Sequence, residues 1–254
     1  MKVTLITISY NNEKEISQTI KSVINQTYSN IEYIIVDGAS KDLTLKIIEE
    51  YGSNISKVIS EPDKGIYDAI NKGIKNATGD IIGLIHAGDE LYDNNVIEKV
   101  VRCFTESNID ALYGHSKILS EDGSKVVRIN KSPEYNERLF PLGWFPSHQS
   151  FYASRELFDH LGLYNLKYKI AADYELLFRF IYVNKVIVKL LDEYLIKFKV
   201  GGTSTKSVKN IIKLNKECIN AWHDNGIKMP FYTIPLKLLR KVKQILDARL
   251  NISN

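Results

Sequence analysis

The stretch "VTLITISYNN", residues 3 to 12, holds an apolar run that stops abruptly at polar side chains. Its first six residues are aliphatic or β-branched, which is typical of a parallel strand buried on both faces. Asn12 and Glu15 follow at the spacing of a capping box, and isoleucines then recur at helical intervals from Ile16. This pattern predicts a buried strand that leads directly into a helix.

The same alternation of strand and helix repeats over about the first 105 residues. Such repetition indicates an α/β fold of Rossmann-like type, with a mostly parallel central sheet and helices on both faces. The further elements predicted here are strands at Ile31–Val36, Lys57–Ser60 and Asp80–Ile85, and helices at residues 40–51, Ile66–Lys75 and Asn94–Phe104.

From about Asp110 the pattern changes, and "SEDGS" signals a hairpin turn. The strands predicted in this part are Tyr113–Leu119, Lys125–Ile129, Gln149–Ala153, Val186–Leu191 and Tyr194–Val200, with a helix at Tyr174–Tyr182. Gly201 and Gly202 break the chain, and C-terminal helices are predicted near Val208–Ala221 and Ile234–Leu250.

Composition limits the class of protein. Hydrophobic residues make up 44% of the 254 residues, enough for a full core, and a net charge of +4 is too small to indicate a nucleic-acid partner. Cys103 and Cys218 lie far apart without metal-type spacing, and we interpret them as reduced core thiols. Because the apolar runs are too short for a signal peptide or a membrane span, we expect a cytoplasmic protein.

Acidic residues follow three of the predicted strands, at the edge where an open parallel sheet binds its ligands. Asp37 follows the second strand, Asp63 the third and Asp89 the fourth. Without basic neighbours, converging acids cost electrostatic free energy, so a cation or hydrogen-bond donors are expected to meet them. The sequence contains no dinucleotide-type or P-loop glycine motif, and a phosphate ligand would therefore depend on a divalent metal held by oxygen atoms.

Six blocks of the chain resemble glycosyltransferase family 2, in particular the bacterial enzymes that build surface polysaccharide such as lipopolysaccharide or capsule. The blocks are "ITISYNN", "IIVDGASKD", "SEPDKGIYDAINKGI", "GDIIGLIHAGDELY", "HQSFYASRELF" and "AADYELLFRF", in the family's order over about residues 3 to 204. The resemblance implies a GT-A fold, a nucleotide-sugar donor with UDP favoured, and inverting transfer to a saccharide acceptor, commonly lipid-linked. It divides the chain into a transferase domain over residues 1–204 and a C-terminal helical extension over residues 205–254.

The resemblance also assigns residues to the donor site. Residues of the first strand would line the pocket for the nucleotide base. The acid that follows the second strand would form a hydrogen bond with that base. Backbone amides at the start of the "DAINKG" helix would add a favourable interaction with the diphosphate. The residues implied to hold the donor are Thr7, Ser9, Tyr10, Asp37, Asp63, Asn71, Gly88 and His148.

The metal ligand and the catalytic base are implied in the same way. "HAGDE" resembles the family's DxD segment, but only Asp89 matches an acid, so it is the single implied ligand of Mn²⁺ or Mg²⁺. Donor phosphates and water would supply the other oxygen ligands, and His86 is interpreted as a wall of the pocket. Asp173 resembles the family's catalytic base, which removes the proton of the acceptor hydroxyl as that oxygen attacks the anomeric carbon. His148 and Gln149 would lie between the donor sugar and the acceptor.

Three features have two interpretations each. Trp144 is either an apolar platform for a sugar or a structural residue, and Gly201–Ser204 is either a lid over the diphosphate or a plain turn. The predicted helix Ile234–Leu250 carries an apolar stripe and several cations. It either lies on an anionic membrane, at the inner face of the cell membrane, or packs on its own domain or a second subunit in a homodimer.

Two other functions compete with glycosyl transfer. A nucleotidyltransferase that makes nucleotide-sugars would carry a glycine-rich basic loop after the first strand, and "SYNNEKE" has no such loop. A non-catalytic nucleotide- or sugar-binding protein is favoured only by the altered DxD segment. A metal-dependent glycosyltransferase is therefore the function that the sequence predicts.

Overall fold

The structure, a computed structural model, describes residues 1–200 and 207–241. The strands of the described residues form one mixed sheet. Their bounds are β1 (Val3–Ser9), β2 (Ile31–Asp37), β3 (Lys57–Ser60), β4 (Ile81–Leu84), β5 (Glu90–Leu91), β6 (Ala111–Leu119), β7 (Val126–Asn130), β8 (Phe151–Ser154) and β9 (Val188–Lys199).

The α-helices cover both faces of the sheet. Their bounds are α1 (Ile16–Ile24), α2 (Thr44–Glu49), α3 (Ile66–Asn76), α4 (Val96–Glu106), α5 (Arg155–Leu161), α6 (Ala172–Leu177) and α7 (Val208–Asp224). The chain continues from α6 into a π-helical segment, Phe178–Val183, and residues 233–241 are helical again. Of the predicted tail helix, residues 242–250 lie outside the described residues. Among the described residues, no helix combines the length and apolar character needed to cross a membrane.

The strand order positions the candidate site. The order is β3, β2, β1, β4, β8, β6, β9 and β5, and β7 pairs with β6. The first four strands in this order are parallel, as the alternating sequence predicts, whereas β8 pairs antiparallel with both β4 and β6. The carboxyl ends of β2, β1 and β4 therefore meet at one edge of the sheet.

Two hydrophobic clusters lie on opposite faces of the sheet, because side chains alternate along each strand. In β1, Ile6 packs against the cluster that includes Trp222 of α7, whereas Leu5 packs against the cluster that includes Ile16 of α1. Both strand residues are fully buried, and each such aliphatic side chain stabilises the fold by about 1.5–3 kcal/mol. Cys103 and Cys218 are buried free thiols, as the sequence predicts.

Several local predictions are wrong. The capping box does not form: the Glu15 carboxylate extends to Lys199 Nζ at 3.0 Å, and α1 has no side-chain cap. The two predicted late strands form one strand, β9. Its pairing with β6 shifts register between Tyr113 and His115, and this shift accommodates the polar residues Asp192 and Glu193 that lie between the predicted strands. His115 Nε2 lies 2.7 Å from Asp192 Oδ1 at this bulge. Strand β5 and helix α5 are additional elements.

Helix α7 joins the main core. Cys218, Ala221 and Trp222 belong to the same hydrophobic cluster as α3 and α6, and the Trp222 indole donates a hydrogen bond of 2.6 Å to the Tyr174 hydroxyl. The predicted boundary between residues 204 and 205 thus separates two segments of sequence that share one core. Gly201–Ser204, the predicted lid or turn, lies outside the described residues.

Candidate active site

The edge formed by β2, β1 and β4 brings the first predicted site residues together. Ser9 of β1 is paired with Asp37 of β2, and the Gly38 amide donates to the Ser9 carbonyl at 2.9 Å. On the other side, the Ala87 amide donates to the Ile8 carbonyl at 3.1 Å. The loop after β4, which carries His86 and Asp89, therefore lies next to the end of β1.

Asp37 is fully buried and already hydrogen-bonded. Its carboxylate accepts hydrogen bonds from the Ser40 amide (2.8 Å), the Ser40 hydroxyl (2.5 Å) and the Ser60 hydroxyl (3.0 Å). A carboxylate has about four acceptor positions, so these three bonds occupy most of them. Asp37 therefore joins the loop after β2 to the end of β3, and its contact with a base stays a prediction.

The predicted base-pocket residues of β1 differ in accessibility. Thr7 is fully buried and its hydroxyl lies 2.9 Å from the Tyr33 hydroxyl, so it is enclosed beneath the edge. Ser9 Oγ is buried without a hydrogen-bond partner among the described residues. The Tyr10 ring is 60% exposed and lies against Gly38. Ser9 thus has an unpaired but enclosed hydroxyl, and of these three residues Tyr10 is the one exposed to a ligand.

Lys72 of α3, which the sequence analysis missed, neutralises the acids that follow β3. Its Nζ lies 2.9 Å from Glu61 Oε1, 3.1 Å from Asp63 Oδ1 and 3.9 Å from Asp68 Oδ2. A cation was expected to meet the converging acids, and for Asp63 that cation is the ammonium group of Lys72. The spacing of Asp68 and Lys72, four residues apart, is the sequence signal that could have revealed this pair.

Asn71, the predicted diphosphate contact, is occupied elsewhere. Its Nδ2 donates to the Tyr164 carbonyl at 2.8 Å, and its Oδ1 accepts from the Tyr164 amide at 3.0 Å. This side chain is buried and joins α3 to the segment before α6. Contact with a diphosphate stays a prediction, because the two bonds to Tyr164 and the burial of Asn71 leave its remaining N–H little access to a ligand.

The loop that resembles a DxD segment is held on α1. The Thr19 hydroxyl accepts a hydrogen bond from the Gly88 amide at 2.9 Å and donates one to the Asp89 carbonyl at 2.8 Å. Gly88 has a φ of +98°, and a Cβ at this position would lie 2.8 Å from Glu15 Oε2. Only glycine adopts this backbone without strain, so Gly88 shapes the loop that presents Asp89.

Asp89 has the character expected of a metal ligand. It is buried, and its Oδ2 has no hydrogen-bond partner among the described residues. Burial raises the pKa of Asp89 to about 7, although the charge of His148 and a hydrogen bond from Gln149 act in the opposite direction. Residues 1–200 and 207–241 contain no group of three or more His, Cys, Asp or Glu side chains that could hold a metal ion. One carboxylate with an unpaired oxygen fits Mn²⁺ or Mg²⁺ only if donor phosphates and water complete the shell.

His86 also has an unpaired group in this region. Its Nδ1 is buried without a hydrogen-bond partner among the described residues, and its ring lies 5.7 Å from the His148 ring. Burial lowers the pKa of His86 to about 4. The ring is therefore neutral near pH 7, and its position beside His148 agrees with its interpretation as a wall of the pocket.

Asp173 and His148 form a close pair. Asp173 Oδ2 lies 2.9 Å from His148 Nδ1, and Oδ1 accepts a hydrogen bond of 3.2 Å from the Tyr67 hydroxyl. Burial opposes the charge of Asp173, but the charge and hydrogen bond of His148 lower its pKa overall, so it is a carboxylate near neutral pH. Burial alone would lower the pKa of His148, but Asp173 and Asp89 raise it. His148 thus lies under the influence of both predicted active-site acids.

Trp144 precedes His148 in the segment "GWFPSHQ" and is half-buried. Its ring packs 5.7 Å from the Tyr113 ring at an angle of 59°. Both interpretations of Trp144 remain open, because one side of the ring is packed and part of it is accessible.

The raised pKa of Asp89 predicts a pH-dependent effect on stability. In the folded protein without metal, Asp89 keeps its proton until about pH 7, whereas in the unfolded chain it loses it near the usual value of 3.8. The resulting stabilisation is present below about pH 4 and is lost as pH rises through about 7. Asp89→Asn should therefore match the wild type at about pH 4 and exceed its free energy of unfolding by about 2–4 kcal/mol at about pH 8. Urea unfolding with a chelator measures this; an equal difference at both pH values would contradict it.

Comparison with known proteins identifies the fold and then the family. The structure superimposes on Staphylococcus aureus TarS 1-349 in complex with UDP with a TM-score of 0.67 and 20% identity, over 87% of this chain and 65% of that one. It superimposes on the mannosyltransferase PcManGT of Pyrobaculum calidifontis, in complex with GDP-Man and Mn²⁺, with a TM-score of 0.64 and 18% identity, over 98% of this chain and 68% of that one. This is the GT-A type of glycosyltransferase fold, which confirms the predicted α/β class. The model of glycosyl transferase family 2 matches residues 4–162, and the chain belongs to that family.

Relatives by sequence agree with this membership. An uncharacterized glycosyltransferase of Mycobacterium tuberculosis is 31% identical over 182 residues, covering 70% of this chain and 68% of the relative. A PGL/p-HBAD biosynthesis glycosyltransferase of Mycobacterium bovis is 30% identical over 160 residues, covering 61% of this chain and 60% of that relative. The matched region covers less than two thirds of the second of these relatives. In the structural comparison, this chain covers 39% of a longer TarS chain. The protein is a glycosyltransferase, and this favours transfer over the nucleotidyltransferase and binding-protein alternatives.

Proposed function

We propose that the protein transfers a sugar from a nucleoside-diphosphate donor to a saccharide acceptor with inversion at the anomeric carbon. The single observation that supports this proposal is the contact of His148 with Asp173 at 2.9 Å, in a cluster where the charge of Asp89 also raises the pKa of His148. Asp89, which is suited to bind a metal, and Asp173, an ionised carboxylate suited to act as a base, thus both act on the His148 side chain. Donor activation and acceptor deprotonation require these two groups at opposite sides of one reacting carbon.

The donor would bind across the ends of β2, β1 and β4. Ser9 has an unpaired hydroxyl and Tyr10 an exposed ring at this edge. Asp37 borders the edge through its bonds to Ser40, and Asp63 through its position beside Gly38. UDP is the favoured nucleotide, supported by the structural neighbours with UDP and UDP-GlcNAc, although another neighbour holds GDP-Man. Gly88 and His148 would adjoin the diphosphate and the sugar.

Asp89 is the residue that would hold a divalent metal, Mn²⁺ or Mg²⁺. Its unpaired Oδ2 supports this assignment, as does the Mn²⁺ in one structural neighbour. When bound, such an ion neutralises negative charge that develops on the leaving diphosphate. The neutral His86 and the backbone of Gly88 would border the same space.

Asp173 would act as the general base. The acceptor oxygen forms its bond to the anomeric carbon while the bond from that carbon to the diphosphate oxygen breaks. The hydroxyl proton passes to a carboxylate oxygen of Asp173, and the nucleoside diphosphate leaves on the opposite face. The contacts of Tyr67 and His148 fix the orientation of the carboxylate, which supports efficient proton transfer.

A donor screen tests the proposed function. Purified protein is incubated with Mn²⁺, a saccharide acceptor and a panel of UDP- and GDP-sugars, and the release of nucleoside diphosphate is measured. Release that depends on one donor and on the metal supports the proposal. Release of pyrophosphate from a sugar phosphate and a nucleoside triphosphate, or thermal stabilisation by nucleotide without turnover, would contradict it.

A lipid-linked acceptor at the inner face of the cell membrane is part of the proposal, and one exposed surface supports it. Segment 231–239 presents Phe231 (92% exposed), Leu239 (63% exposed) and Leu238. Residues 225–241 contain four cations and no acid, and of these cations Lys237 turns inward, with its Nζ 3.0 Å from Cys218 Sγ. The opposite side of this segment packs on the domain, where the Thr233 hydroxyl donates to the Pro141 carbonyl at 2.7 Å and Arg240 Nε donates to the Leu142 carbonyl at 3.1 Å. Apolar side chains bordered by cations favour an anionic membrane surface.

Binding to vesicles tests this surface. The wild type should sediment with vesicles of phosphatidylglycerol and phosphatidylcholine and much less with phosphatidylcholine alone. Phe231→Ser with Leu239→Ser should weaken binding to anionic vesicles by at least about tenfold. The two serines lack the favourable free energy that the apolar side chains gain when they move from water into the membrane. The matched control is Val58→Ser with Ile187→Ser, which changes two exposed apolar residues outside this segment and should bind normally.

Two results would contradict the membrane surface. Wild type that stays in solution with anionic vesicles would exclude it. A dimer that dissociates on Phe231→Ser with Leu239→Ser, measured by light scattering, would show that a second copy of the chain covers the surface instead.

A further inference from the structure

The segment before α6 is held by a residue from a distant helix. The N-cap of α6 is Ala171, which has no side chain able to accept hydrogen bonds from the first amides of the helix. Such amides are left without partners at a helix start unless another group meets them. Glu217 of α7, 46 residues after Ala171 in the chain, meets the amide of this N-cap residue and those of the two residues before it.

Glu217 accepts hydrogen bonds from three successive backbone amides. Its Oε2 lies 3.1 Å from the Lys169 nitrogen, 2.8 Å from the Ile170 nitrogen and 2.9 Å from the Ala171 nitrogen. The Glu217 side chain is 11% exposed, so these bonds are largely shielded from water. A carboxylate also interacts favourably with the positive end of the helix dipole, and hydrogen bonds to charged groups are stronger than neutral ones.

The same segment is held from the other side by α3. The Tyr67 hydroxyl shares its one proton between two acceptors, the Ile170 carbonyl at 2.8 Å and Asp173 Oδ1 at 3.2 Å. Ile170 is therefore fixed through its amide by Glu217 and through its carbonyl by Tyr67. Asp173 follows three residues later, in the first turn of α6.

We propose that Glu217 is a positioning residue for the catalytic base, acting from the C-terminal helix through segment 169–171. The proposal rests on the proposed role of Asp173. A displacement of about 1 Å at a reacting group can lower the rate about 100-fold. Because Glu217 touches neither the sheet edge nor the donor-facing loops in its recorded contacts, its loss should affect turnover and leave donor affinity unchanged.

The test compares Glu217→Gln with a control on the same helix. Glutamine preserves the size of the side chain, and its one carbonyl oxygen can take the place of Oε2, but it removes the negative charge and places an NH₂ donor where Oε1 accepts from the Lys169 amide at 3.2 Å. We expect kcat to fall by about 10- to 100-fold, with the KM for the donor unchanged. The control is Lys213→Gln, which removes the 4.0 Å ion pair with Glu217 at a half-exposed site and leaves the amide contacts; its kcat should stay at the wild-type value.

Two further measurements separate positioning from a structural role. In an Asp173→Asn background, Glu217→Gln should add little to the loss of residual transfer, because both changes act through the same carboxylate. Additive losses, or a fall in kcat matched by a fall in folded fraction, would overturn the proposal. If Glu217→Gln does not fold, Glu217→Asp replaces it: the charge remains, the reach is shorter, and a lowered kcat at unchanged donor KM is still expected.

Failure of this proposal is distinguishable from failure of the proposed function. If Asp173→Asn keeps full transfer, the assignment of the base is wrong. If Asp173→Asn loses transfer while Glu217→Gln has the wild-type kcat, only the positioning role of Glu217 is wrong.

Discussion

Replacing Asp173 with Asn should lower the rate of sugar transfer by about 10²- to 10⁴-fold, the range that general-base catalysis supplies. Asparagine has nearly the same shape and can still accept the hydrogen bond of Tyr67, but it cannot take a proton from the acceptor hydroxyl. The donor should bind as before, since Asp173 contacts Tyr67 and His148 and no residue of β1 or β2 in its recorded hydrogen bonds. Steady-state kinetics with saturating donor and acceptor measures the effect.

A matched control separates chemistry from charge. Asp159→Asn removes an exposed carboxylate on α5 that pairs with Arg155 at 3.2 Å, and surface ion pairs of this kind contribute about 0–1 kcal/mol to stability. It should leave kcat and the melting temperature almost unchanged. An Asp173→Asn protein that folds, binds donor and turns over at the wild-type rate would exclude Asp173 as the base.

Replacing Asp89 with Asn should lower metal-dependent transfer by about 10²- to 10³-fold. The unpaired Oδ2 of Asp89 is the charged oxygen available to a cation in this loop, and charge neutralisation at the leaving group contributes several kcal/mol to catalysis. The same change should raise stability at alkaline pH, because it removes a buried acid whose pKa is raised to about 7. Loss of activity together with a gain in stability is the pattern expected where a functional group is kept at the expense of folding.

Calorimetric titration of donor with and without Mn²⁺ checks this prediction. Wild-type affinity should depend on the metal, whereas the affinity of the Asp89→Asn variant should not. Asp93→Asn is the control, since Asp93 is close in sequence but forms an outward ion pair with Lys99 at 3.1 Å. Metal-dependent affinity and turnover that survive in Asp89→Asn would place the metal on other ligands.

Local sequence was sufficient for the parallel half of the sheet. The strand β3 has the predicted bounds, Lys57–Ser60, and β1, β2 and β4 differ from their predictions by one or two residues. These elements are set by hydrophobic periodicity, which is a property of adjacent residues. Local signals failed where partners are distant: Glu15 pairs with Lys199 instead of capping α1, and the polar pair before Tyr194 forms a bulge instead of a strand end.

The sequence predicted which residues follow the strands and therefore lie near one edge of the sheet, but it did not predict their contacts there. Asp89 and Asp173 were assigned from motifs, and the structure brings each of them to His148. Thr7 and Asn71 were assigned in the same way, yet the first is enclosed with Tyr33 and the second is bonded to the Tyr164 backbone. A motif fixes which residue is present but not which hydrogen bonds its side chain already makes, and those bonds decide whether a ligand can use it.

The sequence by itself determined the α/β class, the parallel strands of the amino-terminal half and the family of the protein, because these follow from periodicity and from short motifs. Only the tertiary structure decided that Lys72 neutralises the acids after β3 and that Asp89 keeps an unpaired oxygen. It also decided that Glu217 of α7 holds the segment leading to Asp173. Contacts between residues far apart in the chain depend on how the elements pack, and no local pattern encodes that packing.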